Sequence, residues 1–244
     1  VIVPFENSIN KISSVLTGMQ DRMRDKEEIL SENENLKAQV ESLTEQNNKL
    51  IQDQTEYVRL QQMYNLDQQY TEYPKVAAEI ISKDPGNWYD TFMINRGSAD
   101  GIRVDNNVIA DKGLVGIVTE VGTHWATVRS IIDDSSNVSA MTVSTQDNCV
   151  VEGDLELIDE GKLSFSQMYD QDNKVTVGER IVTSNISEKY VEGLFIGYVS
   201  DIQLDTNNLT KSGTIVTPVD FQHLKDVFVI TVNKKDSTEE GAEE

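Results

Sequence analysis

The amino-acid sequence predicts a mainly β protein with a long N-terminal α-helix, that is, a coiled coil followed by two small β-barrel domains. Three observations carry that expectation. Residues 6–73 hold no Pro and a single Gly and are dominated by Glu, Gln, Lys, Asn and Leu, which is helical composition. Within them, apolar side chains recur at every seventh position. Beyond Pro74 the chain changes to short β-branched runs separated by turn residues, in a pattern that occurs twice. The expected division is a coiled-coil helix over 1–75, a first β-barrel domain over 76–136, a second over 137–235 and a disordered acidic tail over 236–244.

Two ladders run along the helix. Ile9, Leu16, Met23 and Leu30 step by seven, with Ile12 and Met19 three residues after the first two, which is a and d spacing. Ile29, Leu36, Leu43, Leu50, Tyr57 and Tyr64 then step by seven in a different phase, and these six are the expected self-association residues. The change of phase near Leu30 is a heptad discontinuity that locally alters supercoil winding. The companion core positions Asn33, Val40, Asn47, Gln54 and Gln61 are mostly amides, which help to fix register but lower stability, so pairing is expected to be weak. At about 1.5 Å per residue such a helix extends roughly 100 Å. The alternative is an amphipathic helix that lies on its own β domain.

Tyr70, Tyr73 and Pro74 close the helix, because Pro cannot continue it and biases the preceding residue toward extended geometry. Strands are expected over 76–82, 89–95, 113–121, 127–132, 138–143, 149–151, 162–166, 180–183, 194–202, 213–217 and 227–232. Asp84-Pro85-Gly86-Asn87 and Asp100-Gly101 carry turn chemistry. Many short strands without amphipathic helices between them imply barrels or sandwiches.

The β region also resembles itself. Ile102, Val104, Val108 and Ile109 have the spacing of Val175, Val177, Ile181 and Val182. GLVGIVTEV from Gly113 matches GLFIGYVSDI from Gly193 when Gly116 is aligned with Gly197 and Val118 with Val199. Residues 127–133 then parallel 214–220. Two copies of one small β unit follow, with a border near Asn137; the last strand has the option of crossing over to complete the first barrel.

Charge narrows the class of partner. Lys+Arg 21 against Asp+Glu 42 give a net charge of -21, which repels phosphate backbones and anionic headgroups and excludes nucleic acid as a partner. Residues 1–75 hold 8 basic and 13 acidic side chains, leaving 13 and 29 for the remainder, so most of the excess sits on the β part and tail. Hydrophobic content of 38% is low for one compact globule, as expected if the helix buries only a seam. Cys149 stands alone in an apolar run and reads as a small strand residue. No stretch has the roughly eighteen apolar residues of a membrane span. The chain opens Val1-Ile2-Val3-Pro4 rather than with Met, as though cut from something longer.

No catalytic set is legible. His124 and His223 lack the spacing of zinc ligands, and neither sits in a triad motif; G-x-S-x-G, P-loop, EF-hand and dinucleotide fingerprints are absent. Asp133-Asp134 and Asp159-Glu160 are adjacent acids at turns, which on an extended chain point to opposite faces. Residues 97–101 have the composition of an anion cradle, but Gly97, Asp100 and Gly101 read better as a turn. No cofactor or metal is implied.

At Ile94-Asn95-Arg96-Gly97-Ser98-Ala99-Asp100-Gly101, followed by Gly113-Leu114-Val115-Gly116-Ile117-Val118, the chain resembles the MreC family of bacterial rod-shape-determining proteins. The likeness extends from the Pro4 segment through the coiled coil to the Gly193 and Gly197 signature and to Pro218-Val219-Asp220-Phe221 with Leu224, Val227 and Val229. It implies a single-pass membrane protein whose coiled coil and two barrels lie outside the cytoplasmic membrane, with the span absent from this chain. It also implies a non-catalytic scaffold of the cell-elongation machinery. Such a scaffold self-associates as a dimer or filament, binds a class B penicillin-binding transpeptidase and works with MreD, RodA and MreB. Carried onto matching positions, Asn95, Arg96, Gly97, Asp100 and Gly101 form a tight connection in the first β domain. Gly113, Leu114, Gly116 and Val118 build its central strand, and Gly193 and Gly197 do likewise in the second.

The expected contacts are strand edges and exposed apolar patches, with peptide addition to an open barrel edge as one mode. Two rival readings remain at this point. A periplasmic adaptor of an efflux or secretion system needs a helical hairpin interrupting the β region, whereas here one helical segment precedes every strand. A hydrolase of protease-like barrel fold needs a nucleophile and base that the sequence does not assemble.

Overall fold

The computed structural model describes residues 6–83, 90–110, 112–154, 156–157, 160–170, 173–206 and 209–234, with side chains from residue 26 onward. The chain divides into two compact units, Val1–Gln61 and Gln62–Glu244. The expected turn at Asp84-Pro85-Gly86-Asn87, the side chains of the first ladder from Ile9 to Met23, and the acidic tail 236–244 lie outside the described residues.

The first unit is helical throughout its described length, and its helix α1 (Glu6–Gln69, 64 residues) continues into the second. Good helix formers and the absence of Pro let it run unbroken. The Thr44 and Thr55 hydroxyls donate back to the carbonyls of Val40 and Ile51 at 2.7 and 2.8 Å, so their polarity does not compete with the helix. Arg59 forks onto Glu56 three residues before it, with Nε to Oε2 at 3.0 Å.

Among its described residues the second unit holds the last turns of α1 and twelve strands: β1 (Lys75–Lys83), β2 (Thr91–Ile94), β3 (Asn107–Ala110), β4 (Gly113–Val121), β5 (Ala126–Ser130), β6 (Asn137–Thr142), β7 (Asn148–Glu152), β8 (Lys162–Met168), β9 (Arg180–Thr183), β10 (Phe195–Leu204), β11 (Lys211–Val216) and β12 (Asp226–Ile230). They close into two antiparallel barrels, in cyclic order β1-β12-β3-β4-β5-β2 and β10-β11-β8-β7-β6-β9. Strands β5, β6 and β7 alternate buried and exposed positions, as barrel walls with one wet face do. Every residue of β3 and the first six of β4 are buried, which marks walls covered on both faces.

Three expectations need correction. The division that keeps the final strand in a second domain over 137–235 does not hold; β12 pairs with β1 and β3 and takes the other option, crossing over to complete the first barrel. The second barrel is therefore an insertion between β5 and β12. The expected open barrel edge does not exist among the described strands, because both sheets close on themselves, and closure removes the template for an added strand. Gly193 is not in a central strand; it holds a left-handed turn before β10 at φ +81°, a region that favours glycine.

The internal repeat is structural. Both barrels contain the meander β3-β4-β5 or β9-β10-β11, and the remaining strands follow in matching cyclic order, β2-β1-β12 against β8-β7-β6. The two barrels thus share one connectivity, permuted so that the strand equivalent to β6 is delivered last in the first barrel. Their irregularities coincide. The β3–β4 register slips where Val108 meets Gly116 and Ile109 meets Leu114, and β9–β10 slips where Ile181 meets Gly197 and Val182 meets Phe195. The β4–β5 ladder slips after Val118, and the β10–β11 ladder after Val199. These are β-bulges, which bend a strand enough to close a small barrel.

Gly116 and Gly197 sit at the bulges because nothing larger fits. A Cβ on Gly116 would stand 2.1 Å from the Arg129 carbonyl oxygen, and one on Gly197 2.3 Å from that of Val216. Gly116→Ala is expected to lower the unfolding free energy by about 1–3 kcal/mol in urea titrations, the usual cost of forcing a packed backbone apart.

Candidate functional site

The motif run from Asn95 to Gly101 works through its own hydrogen bonds. Asn95 extends the β1–β2 ladder, its Oδ1 accepting from Glu79 N at 2.9 Å and its N–H donating to Glu79 O at 3.0 Å. Residues 98–100 form one 3-10 turn, and Gly101 ends it at φ +86°. The Gly97 N–H, which would face an anion in a cradle, donates to Asp100 Oδ2 at 3.1 Å, and Arg96 Nε lies 3.8 Å from Asp100 Oδ1. Ser98 N and Ala99 N bond the carbonyls of Gly122 and Thr123 at 2.9 and 3.1 Å, tying the turn to the β4–β5 hairpin. With these groups occupied by the protein itself, the run is a clamp between two hairpins.

Gly113 lies where the barrels meet: a Cβ there would stand 2.9 Å from the Phe195 carbonyl oxygen of β10. Leu114 and Val118 are fully buried in the core, which runs continuously through both barrels. The base of the helix seals the same junction. Leu66 and Tyr70 are buried. The Tyr70 hydroxyl accepts from Phe195 N at 3.1 Å, while the Tyr73 hydroxyl donates to Glu192 O at 3.0 Å. Burial raises the Tyr70 hydroxyl pKa above its ordinary value, against the opposing pull of the Phe195 N–H and the Arg180 charge. Lys75 Nζ donates to Tyr70 O at 2.5 Å and lies 3.1 Å from Asp67 Oδ1. The sequence marked Tyr70 and Tyr73 only as helix terminators.

His223 Nδ1 lies 2.7 Å from Asp220 Oδ2, but both side chains are exposed. The open cleft they share, about 420 Å³, is otherwise lined by Gln62, Lys112 and Pro218, with no nucleophile. His124 is exposed on the β4–β5 turn. Cys149 is buried in the second barrel, and burial pushes its thiol up to about 12. The native chain is therefore expected to leave a thiol reagent unreacted near neutral pH, whereas the unfolded chain consumes one equivalent. Among the described residues no group of His, Cys, Asp and Glu could hold a metal ion. None of the described helices is long and apolar enough to cross a membrane.

Several large apolar side chains are exposed. Ile29, Leu36, Leu43, Leu50, Tyr57 and Tyr64 all face solvent, from 52% exposed at Leu36 to 67% at Leu50. On the second barrel Tyr198 and Val216 are cross-strand partners and both exposed. At the other end of β11 from Val216, Asp170 and Lys211 form a buried ion pair at 2.6 Å that no sequence motif announced.

Comparison with known proteins places this architecture. The family model described as "Rod shape-determining protein MreC, barrel core" matches residues 80–231. The cell shape-determining protein MreC of Listeria monocytogenes is 28% identical, over 92% of this chain and 76% of its own length. A solved MreC structure from the same species superposes with a TM-score of 0.59 at 29% identity, covering 78% of this chain and 95% of that one. Another solved chain named MreC has a TM-score of 0.65 at 19% identity, covering 72% and 98%, and shows the same fold.

Proposed function

Since the chain belongs to the MreC family of rod shape-determining proteins, we propose that it is a non-catalytic extracytoplasmic scaffold of the cell-elongation machinery. In this reading it self-associates through α1, is tethered to the cell membrane by a single span preceding residue 1, and presents its barrels to a class B penicillin-binding transpeptidase. MreD, RodA and MreB are the further members of the machinery it works beside. The observation that carries the reading is the ladder from Ile29 to Tyr64, an apolar stripe left exposed along a 64-residue helix. A soluble chain does not keep such a stripe wet without a partner to cover it. The barrels are consistent with a holding role, since the motif glycines serve turns and bulges.

The test is direct binding. The intact 244-residue chain, immobilised by its N-terminus, is expected to capture the purified extracytoplasmic domain of its host's class B transpeptidase saturably and without consuming it. Absence of saturable binding overturns the partner assignment.

A further inference from the structure

Because the barrels correspond strand for strand, their outer faces can be compared position by position. On the first barrel the outward row across β3, β4 and β5 is Asn107, Ile117 and Arg129. Asn107 and Ile117 are only 1% and 8% exposed. The cover is the segment 187–191, which arrives from the second barrel. Val191 N donates to Asn107 Oδ1 at 2.8 Å, Asn107 Nδ2 donates to Lys189 O at 3.0 Å, and Tyr190 is buried within reach of the Arg129 charge.

The equivalent row on β9, β10 and β11 is Arg180, Tyr198 and Val216, with Lys162 beyond it on β8. No described segment lies over this row, and Tyr198 and Val216 are 44% and 40% exposed. The side chains are nonetheless ordered against one another. The Arg180 guanidinium lies 4.8 Å above the Phe195 ring, and that ring meets Tyr198 edge-on at 5.0 Å. Glu160 holds Lys162 at 2.6 Å, so Arg180 sets the charge preference of the row. On a chain of net charge -21, an aromatic patch bordered by an arginine is a local reversal of sign.

We propose that the Arg180–Tyr198–Val216 row docks a peptide segment of a partner protein that presents an aromatic or branched apolar side chain beside a carboxylate. The inference rests on the scaffold reading and names the chemistry of one of its contacts. Its template is internal. Where Asn107 both donates to and accepts from the covering backbone, Arg180 offers only donors, which selects a carboxylate. Where Tyr190 fills the first row, an apolar side chain fills the second, against Tyr198 and Val216. A second copy of the chain is a poor occupant. Its own 187–191 segment is already engaged on its own first barrel, and two chains of this charge repel outside an apolar seam.

The probe is an array of short synthetic peptides in which apolar and acidic positions are varied independently, read with the intact chain. Binding is expected to require both features, to weaken about tenfold or more in Tyr198→Ala, as for a central interface aromatic, and to switch toward basic-flanked peptides in Arg180→Glu. Val216→Asp is a second variant at the row, and circular dichroism confirms that all three fold. Peptide binding that ignores charge, or that survives all three substitutions, overturns the proposal. Light scattering of the same variants provides the other arm: loss of self-association in Tyr198→Ala makes the occupant a second copy and also overturns it. If wild-type chain binds the transpeptidase domain while these variants bind it equally well, the row is refuted and the scaffold reading stands. Failure of wild type to bind that domain, with peptide selectivity intact, refutes the transpeptidase and keeps the row.

Discussion

Asp170→Ala is expected to lower the unfolding free energy by about 3–5 kcal/mol, the usual result of removing one partner from a buried ion pair. The Asp170 side chain is 1% exposed and collects three donors: Lys211 Nζ at 2.6 Å, Lys174 N at 2.9 Å and Val175 N at 3.0 Å. It thereby ties the loop after β8 to the start of β11. Removing the carboxylate strands an ammonium and two backbone N–H groups in the second barrel, each without its acceptor. Adding Lys211→Met relieves the stranded charge, so the double variant is expected to recover part of the loss but not the share due to Lys174 and Val175. Urea titrations of the three variants at neutral pH measure both steps.

The pH dependence follows from the same site. Burial alone would raise the Asp170 pKa, but Lys211 and the two backbone donors outweigh it and hold the carboxyl below its ordinary value. A depressed folded-state pKa means that the pair's contribution is fully present above the unfolded value of roughly 3.9. It is lost as pH falls from there through the folded value. Wild type is therefore expected to lose stability below about pH 4 more steeply than Asp170→Ala.

The second large effect concerns the helix. Leu36→Asp with Leu43→Asp is expected to shift the chain from dimer or larger assembly to monomer in light scattering. Each leucine rung buried on pairing contributes roughly 1.5–3 kcal/mol, and a pair of carboxylates in the seam adds repulsion. The amide positions Asn33, Asn47, Gln54 and Gln61 leave little surplus to absorb that loss. Both leucines are exposed in the single chain, so the substitutions leave its own packing untouched. An unchanged mass would count against the seam.

Local pattern explains which features were legible in the sequence. The helix was, because a seven-residue period and the absence of Pro need no tertiary context, and most strands showed β-branched runs of adequate length. Strand β3 was missed. Four residues, all buried, show no alternation, and a polar turn at Arg103 to Asn106 precedes them. The signal that would have found it lay in the repeat, since Val108 and Ile109 were matched to Ile181 and Val182 in a segment read correctly as β9.

Other features depend on distant pairing. Nothing within Asp226–Ile230 says that it returns across an inserted domain to join β1 and β3. Asp170 and Lys211 are 41 positions apart and meet only because the bulged end of β11 faces that loop. The row Arg180, Tyr198 and Val216 likewise exists only once three strands are in register. The glycines were read as architecture, but the offset of one residue between Gly113 and Gly193 became visible only with the bulges in place.

The claim that this chain shapes cells by holding partners, with no bond-breaking chemistry of its own, is tested most directly in its own host depleted of the endogenous copy. Cell width and length are measured after expression of the chain behind a membrane anchor, as wild type and as the His124→Ala, His223→Ala double variant. Rods restored equally by both are the predicted result. Round cells with both, or rods restored by wild type and lost with the double variant, would contradict it.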